Sequence, residues 1–428
     1  MNSMLGEIEL KNSDHKQTKH QCVPPETFPI LTNIIEYNDF FRQFLEKNTP
    51  CLIRNKSLME NWQSCADWID SHEQTINLNY FKRIIDVHQH HVPVSNCGKK
   101  YFNSQEKSDM SFNSFLKHWS EMGKNSDCDL YYLKDWHFVK EVPNYKAYET
   151  PFYFSSDWLN EYLEDSGREI NPSEGFQSSD YKFVYIGPKD SWTPFHSDVF
   201  GSYSWSANVI GEKEWIFFPP GNEKFLIDKC SGEVLYDVYD VLPCNQTELF
   251  NRQSFTYEGR EIVYYKIRQR QNEIVFVPSE WYHQVKNIES TISINHNWFN
   301  ATNVMTIWNI LRDELKKVES EILDCKATCE DEREWNDMCQ NLLRSSHGMN
   351  VKDFVHLCTF IAEKRISSLT NFDYDKYEGH RFGLKHIIYD INILKQVFDQ
   401  IENENFLPEE SSKLVISINN TLSDNSKS

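Results

Sequence analysis

Between Phe183 and Asn295 the chain breaks into short runs rich in β-branched and aromatic residues: Phe183–Ile186, Trp205–Ile210, Glu214–Phe218, Val263–Lys266, Glu273–Val277 and Thr291–Asn295. Gly, Pro or Asn separates them. Runs this short are too brief for stable helices, and strands at this rhythm bury their apolar faces by stacking antiparallel sheets. The stretch therefore predicts a β-sandwich or jelly roll, with Gly211-Glu-Lys as a hairpin turn and 221–262 as a long polar insertion.

The flanks read differently. The first 25 or so residues are polar and expected to be disordered. A mixed stretch follows: a helix near Phe40–Leu45, a strand at Pro50–Arg54, polar then helical sequence over 103–123, and a strand at Leu130–Phe138. After Asn303, Val304, Ile307, Trp308, Leu311, Leu315, Val318 and Ile322 recur at helical spacing, and Phe354–Ile366 and Leu384–Ile401 repeat the pattern. The expected class is α+β. Its divisions are a disordered 1–27, a mixed 28–150 packed on the core, a catalytic jelly roll over 151–303, a helical region over 304–407 and a tail over 408–428. The apolar faces of the three C-terminal helices need cover, either from the sandwich or from a second copy in a homodimer.

Charge narrows the partners. With 44 basic and 64 acidic side chains the formal charge is −20, which opposes phosphate-backbone binding, so no nucleic-acid partner is expected. A basic protein surface remains compatible. No apolar run reaches the length of a membrane span or a signal peptide. Eleven scattered cysteines, an odd number, read as reduced thiols. The expected address is the cytoplasm, with the nucleus as a second compartment.

Chemistry enters at Thr193-Pro-Phe-His196-Ser-Asp198. A His and an Asp two apart on a strand point to one face and can share a metal ion. Fifteen histidines and 64 acids in 428 residues make roughly two such pairs expected by chance, so the motif alone is weak. Pro278-Ser-Glu-Trp-Tyr-His283 supplies a second imidazole, although a histidine beside Trp281 and Tyr282 is also a plain core residue. Two histidines and one carboxylate make the facial triad of a non-haem Fe(II) site with open positions. Lys213 heads an apolar strand, where a buried cation suits a cosubstrate carboxylate; its other reading is a hairpin lysine in solvent. His88-Gln-His90-His91 lacks a completing ligand, and Cys325, Cys329, Cys339 and His347 read as helix-borne rather than zinc-binding.

From about Tyr181 to Phe299 the chain resembles the JmjC domain, the cupin-like family of Fe(II)- and 2-oxoglutarate-dependent oxygenases built on a double-stranded β-helix. Four further motifs extend the likeness over most of the chain: Pro93-Val-Ser-Asn-Cys-Gly98, Tyr132-Leu-Lys-Asp-Trp-His137, Tyr153-Phe-Ser-Ser-Asp-Trp-Leu-Asn160 and Ile292-Ser-Ile-Asn-His-Asn-Trp298. The resemblance implies that His196, Asp198 and His283 are the iron ligands. It implies that Lys213, Thr193 and Tyr132 bind the distal carboxylate of 2-oxoglutarate and that Asn295 lies near it. Ser206 falls where related hydroxylases often carry an asparagine, and Asn208 follows two residues on, so both are candidate contacts. The implied cosubstrates are 2-oxoglutarate and O2, with ascorbate as reductant in vitro. The branch resembled implies C4 hydroxylation of a lysine in the translation release factor that reads stop codons, which promotes termination. Lysine demethylation uses the same iron chemistry and stays open. A non-catalytic cupin-like binding module is opposed by the intact triad and Lys213.

Overall fold

Alternating side chains in the strand Lys213–Phe218 show how the two sheets of this protein meet. Trp215 and Phe217 point inward and pack with Val275, Val277 and Leu52 of the facing sheet, together with Trp281 and Val285. Ile216 and Phe218 point the other way, against Phe195, Ile262 and Tyr264, and are covered by Leu226 and Val238. Successive residues of a strand face opposite sides, so a strand buried on both faces reads as a continuous apolar run. The computed structural model describes residues 6–13, 24–86, 88–122, 128–165, 181–243, 248–371 and 376–403.

The smaller sheet runs in the order Trp192–His196, Tyr282–Asn287, Lys213–Phe218, Arg260–Gln269, Arg252–Tyr257, with every pairing antiparallel. The larger has nine strands among the described residues. Its centre is the antiparallel series Ile274–Val277, Tyr203–Ile210, Thr291–Trp298, Lys182–Gly187, Tyr131–Trp136. The hairpin His91–Tyr101 and Ser104–Ser111 extends one edge. The outer face of the larger sheet meets the helices: Trp205, Ile292, Ile294 and Trp136 share one core with Trp308, Leu311, Phe354 and Leu394. The expected α+β class with a two-sheet, jelly-roll-like centre stands.

Several expectations are corrected. Within 221–262 the insertion carries the strand Arg252–Tyr257 and the start of Arg260–Gln269, so its C-terminal end belongs to the smaller sheet. The polar run over 103–111 is the edge strand Ser104–Ser111, and edge positions tolerate charge because one side faces water. A fourth C-terminal helix, Glu332–His347, joins the three expected; its Asp331 side chain caps the Glu334 N–H at 2.8 Å. Of the two covers expected for the apolar faces of the helices, packing on the sandwich is present: their buried residues share one core with the larger sheet.

Part of the N-terminal segment expected to be disordered is structured. Gly6–Ile8 pairs in parallel with His380–Phe382, and Ile8 and Leu10 are buried. Glu9 accepts hydrogen bonds from the backbone N–H of Lys385 (3.3 Å) and His386 (3.1 Å), so it caps the helix Leu384–Asn403 and favours its positive end. Gly383 makes room for this: a Cβ there would sit 2.3 Å from the Glu9 carboxylate. Two buried apolar residues in a polar segment escape any composition argument. The 408–428 tail lies outside the described residues.

Candidate active site

The strand Trp192–His196 ends at the first candidate ligand. Asp198 lies beyond the strand but stays extended (φ −65°, ψ 151°), then starts the short turn Val199–Gly201. His283 is the second residue of Tyr282–Asn287 and pairs directly opposite His196. A register irregularity between Thr193 and His196 re-aims the strand at this point. One atom from each of His196, Asp198 and His283 lies within 4.8 Å of the others, and this is the one such three-ligand group among the described residues.

Each ligand is held from behind. Nδ1 of His196 donates to the Pro194 carbonyl at 2.7 Å, and Nδ1 of His283 donates to the Trp281 carbonyl at 2.9 Å. Those bonds fix the tautomer that leaves Nε2 with its lone pair for a metal. The Ser204 hydroxyl donates to Oδ2 of Asp198 at 2.7 Å. Burial, then the neighbouring His283, pulls the His196 imidazole down to about 4, so it is neutral and able to ligate at pH 7. Two neutral imidazoles and one carboxylate fit a divalent first-row metal that keeps positions for other ligands.

A cavity opens from these residues toward the hairpin end of the sheets. It is lined by Tyr132, Tyr185, Thr193, Ser206, Lys213 and Asn295, with the triad, Ser204, Trp215, Val285 and Asn297 completing the wall. At its inner end Lys213 is 2% exposed. Its ammonium donates to Ser293 Oγ at 2.6 Å and reaches the Tyr132 hydroxyl at 3.4 Å, both neutral partners. Burial alone lowers its pKa to about 7. A cation kept in such a place suits an anion entering the cavity, because the pair then recovers the cost of desolvation. The buried Ser206 hydroxyl has no hydrogen-bond partner among the described residues, which also fits a polar ligand there. Gly187 protects the wall: a Cβ would lie 2.5 Å from the Tyr132 ring.

Eight of the nine sequence-derived site residues therefore converge on one cavity. Asn208 is not in its lining: it is fully buried, and its amide donates to the Gly211 carbonyl at 2.6 Å and holds the hairpin. The second histidine cluster is also dispersed: His90 pairs with Glu141 at 2.7 Å. Cys339 is buried in the helix Glu332–His347. Sequence reasoning missed Tyr185, Ser204, Ser293 and Asn297. A signal for three of them exists in the strand alternation: Ser293, Asn295 and Asn297 share one face of Thr291–Trp298, and Ser204 and Ser206 share one face of Tyr203–Ile210.

Comparison with known proteins agrees with this geometry. Residues 183–298 match the family described as JmjC domain, hydroxylase. The chain is 36% identical over 407 residues to the 2-oxoglutarate and iron-dependent oxygenase JMJD4 homolog of Drosophila melanogaster, over 87% of this chain and 88% of that protein. It is 38% identical over 382 residues to JMJD4 of Gallus gallus, over 86% and 84% of the two chains. It is also 40% identical over 327 residues to the arginine-specific demethylase JMJ20 of Arabidopsis thaliana, over 75% and 66%.

Proposed function

Because the chain belongs to the JmjC-domain 2-oxoglutarate and iron-dependent oxygenases of the JMJD4 type, we propose that it is a protein hydroxylase whose target is a lysine of the translation release factor. The observation that carries the oxygenase reading is the buried Lys213 at the inner end of a cavity that begins at a His-Asp-His group. The double-stranded β-helix belongs to the same reading, supported by two facing sheets whose central strands pair antiparallel.

In this reading His196, Asp198 and His283 would hold the iron, and Lys213, Tyr132 and Thr193 would receive the distal carboxylate of 2-oxoglutarate. When bound, the iron and 2-oxoglutarate, with O2, supply an oxidant that places one oxygen atom on a substrate C–H bond, the second oxygen leaving in succinate alongside CO2. The chain's own contribution is placement. The Pro194 and Trp281 carbonyls hold the imidazoles in one tautomer, and the apolar wall of Trp215 and Val285 limits water around the reacting atoms. Ser206 and Asn295 line the same cavity as Lys213 and the triad and would contact the cosubstrate there. No side chain needs to act as a general base.

The test is mass spectrometry of recombinant release factor after incubation with the protein, Fe(II), ascorbate and 2-oxoglutarate. One added oxygen on a lysine is expected. A second reading, removal of a methyl group from arginine or lysine, is favoured by the similarity to a relative described as an arginine-specific demethylase. Release of formaldehyde from an N-methylated peptide, with no oxygen retained on the release factor, would put that reading in place of ours.

Lys213 gives a pH-dependent expectation. A lysine with a pKa near 7 loses its charge as pH rises above 7, and a carboxylate needs the charged form. Binding then takes up a proton, so 2-oxoglutarate affinity weakens above pH 7 by up to about tenfold per pH unit. Lys213→Met is expected to raise KM for 2-oxoglutarate by about 30-fold or more and to remove that pH dependence. An unchanged KM in the variant, measured at pH 7, would exclude Lys213 from the cosubstrate site.

A further inference from the structure

The candidate ligand Asp198 differs from the two histidines in what holds it. The imidazoles are fixed by backbone carbonyls close in sequence, whereas Asp198 sits past the end of its strand, and its Oδ2 accepts a 2.7 Å hydrogen bond from Ser204 on the facing sheet. The segment that carries Asp198 turns sharply. Phe200 is held at φ 43°, unusual for a non-glycine residue, and Gly201 at φ 73°. Gly201 is packed so tightly that a Cβ would meet the Ile310 side chain at 2.3 Å. A second side chain of the larger sheet fastens the far end of this segment: Asn297 donates to Ser202 Oγ at 3.1 Å. Ser204 and Asn297 are cross-strand partners, so one polar pair of the larger sheet grips both ends of the segment.

The consequence for coordination follows from counting oxygens. A free carboxylate can bind a metal through one or two oxygens. Two oxygens from Asp198 would occupy one of the positions that a chelating cosubstrate and O2 require. We propose that Ser204 is a positioning residue: by engaging Oδ2 it limits Asp198 to a single metal-binding oxygen and keeps the remaining positions open. The inference rests on the metal-site reading above and deepens it.

Co(II) replaces iron as the probe, because it reports both affinity and coordination number through its visible absorption and does not turn over. In titrations of the full chain, Ser204→Ala is expected to weaken Co(II) binding by about 10- to 100-fold, the usual cost of losing a partner behind a ligand. Its visible bands should shift as a second Asp198 oxygen takes a position otherwise held by water, and KM for 2-oxoglutarate should rise with it. Ser204→Val, which has the shape of threonine but no hydroxyl, should show the same changes, so the outcome does not depend on how the alanine variant folds. Ser204→Thr, which restores a hydroxyl, should return affinity and spectrum toward those of the wild type. Wild-type Co(II) affinity and spectrum in both the alanine and valine variants, alongside lost binding in His196→Ala, would overturn the role of Ser204 alone. Undiminished binding in His196→Ala would instead remove the metal site and this inference with it.

Discussion

Asp198→Ala is expected to lower 2-oxoglutarate turnover by about 10³-fold or more while leaving the melting temperature nearly unchanged. The argument has two parts. Asp198 is one of the three residues whose donor atoms meet within 4.8 Å, and it supplies the only negative charge in that group. Without it, two neutral imidazoles must hold a divalent cation alone, which weakens binding and loses the charge balance of the site. Stability is spared because Asp198 is only half-buried and belongs to no hydrophobic cluster. His196→Ala should behave alike, and a chelator should reproduce the effect in the wild-type protein, reversibly on adding Fe(II). Succinate production followed by NMR gives the readout. Turnover within about tenfold of wild type in both variants would mean that the metal, if any, is held elsewhere.

The largest stability effect is expected far from the cavity. Arg365 in the helix Val351–Asn371 is fully buried and bridges two carboxylates: both Glu161 oxygens at 3.0 Å and Asp390 Oδ2 at 2.9 Å. Glu161 lies in Trp158–Leu163 beside the sheets and Asp390 in Leu384–Asn403, so one guanidinium ties the C-terminal helices to the core. Arg365→Ala strips its bonds from two buried carboxylates, leaving Glu161 to Lys364 at 2.7 Å and Asp390 to His386 at 3.4 Å, which costs about 3 kcal/mol and lowers the melting temperature by several degrees. A triple variant with Met at 365, Gln at 161 and Asn at 390 should recover much of the loss, because it removes the stranded charges rather than one partner. Burial by itself would raise the Asp390 carboxyl, but the adjacent His386 and Arg365 hold it below its ordinary 3.8. A depressed carboxyl contributes its stability above 3.8 and loses it as pH falls through the lower folded value. Acid unfolding should therefore steepen below pH 4 in the wild type and be blunted in the triple variant. Arg365→Ala melting like the wild type by circular dichroism would show that the network contributes nothing net.

Much of this was legible along the chain, and the limits of legibility have physical causes. The strands at 183–295 were readable because a residue's side of a sheet is a local property with period two. His196, Asp198, His283 and Lys213 were readable because they occur together, in this order, on one β-rich stretch, where each alone would be weak. Ser204, Ser293 and Asn297 were not singled out, since a serine or asparagine in a strand looks the same whether it faces water or a cavity. Asn208 shows the converse. It sits two residues from Ser206 on the same strand, yet the Gly211 carbonyl takes its amide.

Long-range pairing drew the rest of the boundary. The strand Gly6–Ile8 exists because His380–Phe382 offers it an edge, and Glu9 finds a helix terminus that begins beyond Gly383. No local pattern near residue 8 encodes a partner more than 370 positions away. The edge strand Ser104–Ser111 hid for a related reason: its charges face solvent, so its pairing rather than its composition makes it a strand. By itself the sequence determined the α+β class, the main strands between 183 and 298, three of the C-terminal helices and the residue types at the centre of the cavity, because those follow from periodicity and from side-chain chemistry. Only the tertiary structure decided which hydroxyl meets Asp198, which face of each strand is the inner one, and where Lys213 ends in relation to the triad. Those depend on sheet register and on packing between segments far apart in the chain, where a shift of one residue would exchange every inward side chain for its neighbour.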